Sequence, residues 1–206
     1  MKQYYQDLIT EKSWQFLQEL KKTVAFVLIG GWAVYLYTNR LKSKDIDIIV
    51  DYDTLVKLKK LGALTKNQRL LKYELKEEAV SVDIYLPYYS VIGLPVEAVI
   101  QYTTDLGGFV VLQKEMLIIT KLAAYAERKA STKGQKDKLD VLALLFLTDF
   151  DYDALAKIVT THHKKILIDT LLTILQTSYE APELGLARHQ FAKLKKRALT
   201  ALGSMR

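Results

Sequence analysis

Apolar positions in the first twenty residues recur at helical spacing. Leu8, Ile9, Phe16, Leu17 and Leu20 fall at mixed steps of three, four and seven with Trp14 beside them, which predicts an amphipathic helix over residues 4–20. A run of β-branched and aromatic residues over 24–29 predicts a buried strand, halted by Gly30-Gly31 and followed by a short helix over 32–38. Ile46, Ile48 and Val50 then alternate with Asp45, Asp47 and Ile49. That period of two is a strand, after which Asp51 or Asp53 caps a helix running to about residue 60. Residues 69–75 and 80–86 predict two further strands joined at 76–78, the second stopped by Pro87.

Past residue 90 the period changes. One helical turn over 95–100 and a short strand over 109–112, set off by Gly107-Gly108, precede a chain that reads as helix: 115–129, 136–147, 153–159, 164–176 and 184–202. Strands early and helices late define the α+β class. The expected architecture is a small mixed sheet with flanking helices over residues 1–110, followed by a C-terminal helical region over 111–206. No internal repeat and no linker rich in Pro, Gly or Ser interrupts it.

Composition narrows the chemistry. Half of the residues are hydrophobic and 26% are charged, which excludes a disordered chain. With no cysteine there is no disulfide framework, thiolate metal site or cysteine nucleophile, so any metal is held by oxygen or histidine and a reducing, cytoplasmic setting is expected. The first twelve residues carry recurrent charges where a signal peptide has its apolar stretch. Residues 23–39 are uncharged, but their Gly-Gly pair, hydroxyls and Asn suit strand, turn and helix better than a membrane span of about 20 apolar residues. The net charge of +7 is concentrated: residues 188–206 hold Arg188, Lys193, Lys195, Lys196, Arg197 and Arg206 without an acid, leaving +1 over 1–187. In the tail helix Leu184, Ala187, Phe191, Leu194, Ala198 and Leu202 form an apolar face. Lys193, Lys196 and Arg197 lie opposite, a solvated face that RNA phosphates could also meet.

Asp45 and Asp47, two apart on a strand, leave the same face while Ile46, Ile48 and Val50 enter the core. Two like charges on one strand face repel, and a divalent cation between them answers that repulsion with the hard oxygen ligands Mg²⁺ prefers. Taken alone, Asp-x-Asp fits the solvated face of an edge strand better. Two neighbours extend the pattern. Gly30 and Gly31 sit where a strand opens a helix, so their backbone N–H groups can approach a phosphate. Asp83 stands between Val82 and Ile84 inside a predicted strand. Three in-strand carboxylates after a glycine turn suit metal-assisted phosphoryl chemistry, two to share cations and one to draw a proton from a hydroxyl.

The run IGGWAVYLYTNRLKSKDIDIIVD, with the later VDIYL, resembles the polymerase-β-type nucleotidyltransferase superfamily. Gly30 and Gly31 match its glycine pair, Asp45 and Asp47 its metal-binding pair, and Asp83 its third carboxylate. Ser43 falls at the family's hydroxyl position. Leu41 replaces its arginine, with Arg40 and Lys42 on either side, so Lys42 would offer the phosphate a point charge instead of a fork. The segment EMLIITKLAAYAERKASTKGQKDKLDVLALL is similar to the one that follows the core in AbiEii-type nucleotidyltransferases of abortive-infection and toxin–antitoxin systems. Lys121 and Arg128 match its first pair, and Lys136, Asp137 and Asp140 its second. Lys114, Lys121 and Arg128, each seven apart, also form one helix stripe.

The resemblance implies transfer of a nucleoside monophosphate from an NTP to an acceptor hydroxyl. Mg²⁺ or Mn²⁺ would sit on Asp45, Asp47 and Asp83, with Gly30, Gly31, Ser43, Lys121 and Arg128 on the phosphates. It further implies RNA, a tRNA end, as acceptor, and an antitoxin protein as partner. Aminoglycoside and lincosamide nucleotidyltransferases share GGWA followed by Asp-Ile-Asp, so a small-molecule acceptor is the rival reading, and a catalytically silent nucleotide-binding protein is another. His162-His163 and the Asp149, Asp151, Asp153 series read as helix-start histidines and as helix caps.

Overall fold

The computed structural model describes residues 2–77 and 79–203, with side chains from Asp7 onward. Glu78 of the expected strand connection and the tail cation Arg206 lie outside the described residues. The chain forms two compact units, one running through Leu36 and resuming over Lys42–Gln113, the other combining Tyr37–Leu41 with the chain from Lys114.

The first unit follows the order α1 (Lys2–Thr23), β1 (Val27–Ile29), the start of α2 (Gly30–Thr38), β2 (Asp45–Ile49), α3 (Tyr52–Leu58), β3 (Ala63–Asn67), β4 (Lys72–Glu77), β5 (Val80–Tyr85), α4 (Val96–Val99), β6 (Thr103–Leu106) and β7 (Phe109–Leu112). Among the described residues these strands make one sheet in the order β3-β4-β5-β2-β1-β7-β6. Neighbours pair antiparallel except β2 with β5 and β1 with β7, so the sheet is mixed, as the α+β reading expects. Leu28, Ile46, Ile48, Leu75, Val82, Ile84 and Val111 are fully buried, because period-two alternation turns every second side chain of the interior strands to the core. Helix α1 packs against β2 and β5. Trp32 of α2 donates its indole N–H to Ser13 Oγ at 2.9 Å and lies 4.9 Å from the Trp14 ring, fastening α1 to α2.

Two strands differ from expectation by being present. β3 and β6 occupy the two edges of the sheet, and their mostly solvent-facing residues show no apolar alternation. Others differ in extent. β4 begins at Lys72, after a turn in which Asn67 Oδ1 accepts from the Leu70 N–H at 3.0 Å and Leu71 takes φ 49°. β1 is confined to three residues, and α2 starts at Gly30 itself. Asp51 caps α3, accepting from the Thr54 N–H at 2.7 Å.

The second unit is helical: α5 (Lys114–Arg128), α6 (Thr132–Leu145), α7 (Tyr152–Thr161), α8 (Ile166–Thr177) and α9 (Arg188–Gly203), with a 3₁₀ turn at Pro182–Leu184. Helices α5 and α6 pack as a hairpin. Ser131 caps α6 through the Gly134 N–H at 3.0 Å, so that helix starts earlier than its apolar period suggests. Gly134 passes under the end of α5, where a Cβ would meet the Arg128 carbonyl and lie 2.9 Å from Lys129 Cα. Asp151 caps α7 as expected, accepting from the Ala154 N–H at 2.9 Å. His162 and His163 instead stand at the C-terminal end of α7. Leu184 belongs to the 3₁₀ turn, and Gly185 at φ 62° separates it from α9. Among the described residues no helix is long and apolar enough to cross a membrane.

Candidate active site

Strand β2 lies between β5 and β1, so Asp45 and Asp47 are on an interior strand and the edge-strand reading of their spacing does not hold. The register aligns them with further acids. Asp47 is opposite Asp83 on β5, Asp83 is opposite Glu74 on β4, and Asp47 is opposite Ile29, the residue before Gly30. Side chains in register on neighbouring strands leave the same face, so this row gathers carboxylates that repel one another.

Lys72 answers that repulsion at one end. It lies on the same β4 face as Glu74, its side chain only 11% exposed, with Nζ 2.6 Å from Asp83 Oδ2 and 3.2 Å from Glu74 Oε1. Burial, with the nearby charges of Glu74 and Asp45, raises the Asp83 carboxyl above the ordinary range against the pull of Lys72. Burial acts to lower Lys72, but its hydrogen bonds and charge contacts with Asp83 and Glu74 outweigh that and raise it. For Asp83 burial is the leading cause, and for Lys72 the neighbouring carboxylates outweigh it. Sequence reasoning missed Lys72, because nothing local in Lys-Tyr-Glu-Leu-Lys-Glu separates it from the exposed Lys76. Only the β4–β5 register marks it.

Gly30 closes the other end of the row. It adopts φ +66°, in the left-handed region that L side chains rarely enter. The Asp47 side chain lies against its Cα, where a Cβ would come within 2.6 Å of Asp47 Cγ. Gly30 and the buried Gly31 form the first turn of α2, whose N–H groups have no carbonyl partner within the helix. Ser43, just ahead of β2, is buried, and Lys42 is exposed. Two carboxylates leaving one face of β2 provide the hard oxygen donors a divalent cation takes, and Gly30 leaves the space beside Asp47 that a side chain would fill. Among the described residues no group of three His, Asp or Glu converges into a metal cage. Asp45 and Asp47 are the residues that could hold such an ion, while Asp83 is engaged by Lys72.

In the second unit, Lys121 and Arg128 come together with Asp137 and Asp140, a pairing that the sequence, read as setting the two cations on the phosphates, did not announce. Lys121 Nζ lies 2.7 Å from Asp140 Oδ2 and 3.3 Å from Asp137 Oδ1, and Arg128 Nη2 and Nε each lie 2.8 Å from Asp137 Oδ2. Asp140 is fully buried and Asp137 nearly so. Lys136, the neighbour of Asp137, is half-buried. Lys114 pairs with Asp149 at 2.5 Å, so every member of the Lys114, Lys121, Arg128 stripe meets an acid. The tail also departs from expectation. Arg197 turns inward, donating to the Phe146 and Leu147 carbonyls at 3.0 and 2.8 Å, because these end α6 without helical partners. Lys193 and Lys196 are exposed as expected.

No protein-family model matches the sequence, and no curated protein does. Solved structures do match. A candidate nucleotidyltransferase from H. pylori aligns with a TM-score of 0.52 at 19% identity, over 97% of this chain and 96% of that one. JHP933 from Helicobacter pylori aligns with a TM-score of 0.50 at 16% identity, over 95% and 93%. At such identities the likeness speaks for architecture, and the chain has a nucleotidyltransferase-like fold.

Proposed function

We propose that this protein is a divalent-metal-dependent nucleotidyltransferase that moves a nucleoside monophosphate from an NTP to an acceptor hydroxyl. The observation that carries the reading is the register of Asp47 against Asp83 on interior strands, with Asp45 on the same face and the Gly30 turn directly beside Asp47. A sheet interior disfavours aligned carboxylates, and this arrangement makes sense where a cation is part of the working site. Asp45 and Asp47 would hold Mg²⁺ or Mn²⁺, which when bound offsets triphosphate charge and favours in-line displacement. The N–H groups of Gly30 and Gly31 seat phosphate oxygens at the start of α2, with Ser43 as a further donor. Asp83, whose proton affinity burial raises, accepts the proton of the attacking hydroxyl. The acceptor oxygen bonds to the α-phosphorus as the bond to pyrophosphate breaks.

The acceptor follows from the resemblance of the Lys121, Arg128, Lys136, Asp137, Asp140 segment to AbiEii-type enzymes: an RNA hydroxyl, in a toxin setting with an antitoxin partner. The test is incubation with each α-labelled NTP and Mg²⁺, in parallel with total RNA and with an aminoglycoside. Label in RNA, lost in Asp45→Asn and Asp47→Asn variants that melt like the parent, is the expected result. Label on the aminoglycoside moves the acceptor to a small molecule. Absence of transfer to either, or full activity in both variants, overturns the reading.

A further inference from the structure

We propose that Lys72 is a built-in cation: it holds Asp83 in a fixed ion pair, so the carboxylate row takes one divalent ion, on Asp45 and Asp47, and does not share a second with Asp83. This deepens the nucleotidyltransferase reading and rests on it for the role of that one ion. Lys72 Nζ contacts Asp83 Oδ2 at 2.6 Å and Glu74 Oε1 at 3.2 Å, and the two partners are 17% and 25% exposed. The pair is anchored from the far side as well, since Asn67 on β3 donates to Glu74 Oε1 at 3.0 Å. A divalent ion bonding to Asp83 would meet an ammonium on the same carboxylate, and the repulsion between them is strong in a half-buried site. Lys76, four residues on and on the same strand face, is exposed, so the burial of Lys72 is particular to its position beside Asp83. On this account Lys72 is a positioning residue, keeping Asp83 in place next to the reacting hydroxyl without a second metal.

The experiment counts bound Mn²⁺ by electron paramagnetic resonance, with Mn²⁺ alone, on the full chain. Wild type is expected to bind one ion, lost in Asp45→Asn, with the count still one in Asp83→Asn. Lys72→Met is expected to gain a second ion, since the ammonium that occupies Asp83 is gone. That gain should vanish in Lys72→Met/Asp83→Asn, where the buried charge is also removed. A wild type that binds two ions, one of them lost in Asp83→Asn, overturns the proposal. So does a Lys72→Met variant that binds like wild type, or a gain that survives in the double variant. Should Lys72→Met alone fail to fold, the wild-type and Asp83→Asn comparison still decides. Metal counts as expected with no NTP transfer would sink the nucleotidyltransferase reading alone, whereas transfer with the contrary counts would sink only the role of Lys72.

Discussion

Gly30→Ala tests the contact on which the candidate site is built. The substitution does two separable things. It forces an L side chain into φ +66°, which costs about 1–2 kcal/mol. It also drives a methyl into Asp47, whose Cγ and Cβ lie 2.6 and 2.7 Å from the new carbon. Neither atom is the far end of a flexible chain, so β2 or α2 must shift, and overpacking of this kind costs about 1–3 kcal/mol more. The expected loss is therefore about 2–5 kcal/mol in wild type. In an Asp47→Gly background both clashing atoms are absent and only the backbone cost of about 1–2 kcal/mol remains. Urea unfolding followed by tryptophan fluorescence reads this out cleanly, because the two tryptophans, Trp14 and Trp32, both lie in the first unit. The double-mutant cycle should give a coupling of at least about 1 kcal/mol. Equal costs of Gly30→Ala in the two backgrounds would refute the contact, and with it the claim that Gly30 shapes the space beside Asp47.

In the second unit, Asp140→Ala removes the shorter ion pair of the buried Lys121 ammonium and leaves the 3.3 Å contact with Asp137, which Arg128 shares, so it is expected to cost about 3 kcal/mol by far-ultraviolet circular dichroism. Lys121→Met/Asp140→Leu should cost clearly less, because Arg128 still matches Asp137; a double variant as unstable as Asp140→Ala contradicts a charge-pair account. Tyr37 has its phenol raised to about 12 by burial, with Glu115 and Asp149 adding repulsion. The unfolded chain then releases this proton first, so the stabilisation is full below pH 10 and is lost as pH rises towards 12. Tyr37→Phe should flatten that alkaline loss in pH-resolved melts, and an unchanged alkaline limb would contradict it.

What could be read from the sequence divides along a physical line. Asp45 and Asp47 were legible because aspartate is out of place in an alternating strand, and Gly30 because a strand stopped by Gly-Gly announces a turn. Strand order was not written locally. It is what makes β2 interior and turns a spacing that fits an edge into a row of aligned carboxylates. Lys72 was invisible for the same reason, since its partner Asp83 is reached only through the pairing of β4 with β5. β3 and β6 escaped because edge strands need bury neither face, and hydrophobic alternation is the signal that burial leaves. The start of α6 was hidden by Gly134, a poor helix former kept there by its close approach to the Arg128 carbonyl.

Charge located along a chain is a different quantity from charge available to a ligand, and this fold separates the two. The tail holds nearly all of the net +7, yet Arg188 meets Glu180, Lys195 donates to the Gln176 and Ser178 carbonyls, and Arg197 donates to those of Phe146 and Leu147. Lys195 and Arg197 complement the negative ends of α8 and α6 and fasten α9 to them. Part of the basic character is thus structural, and Lys193 and Lys196 are exposed tail cations on α9 through which an RNA backbone could be met. The first unit shows the reverse. Its sequence up to residue 113 is unremarkable in net charge, but register places Asp45, Asp47, Asp83 and Glu74 on one face, with Lys72 in contact with two of them. That local excess of negative charge is what a divalent cation would answer. The sign of charge that bears on the proposed chemistry is therefore opposite to the sign of the chain as a whole, and it is set by strand pairing, not by composition.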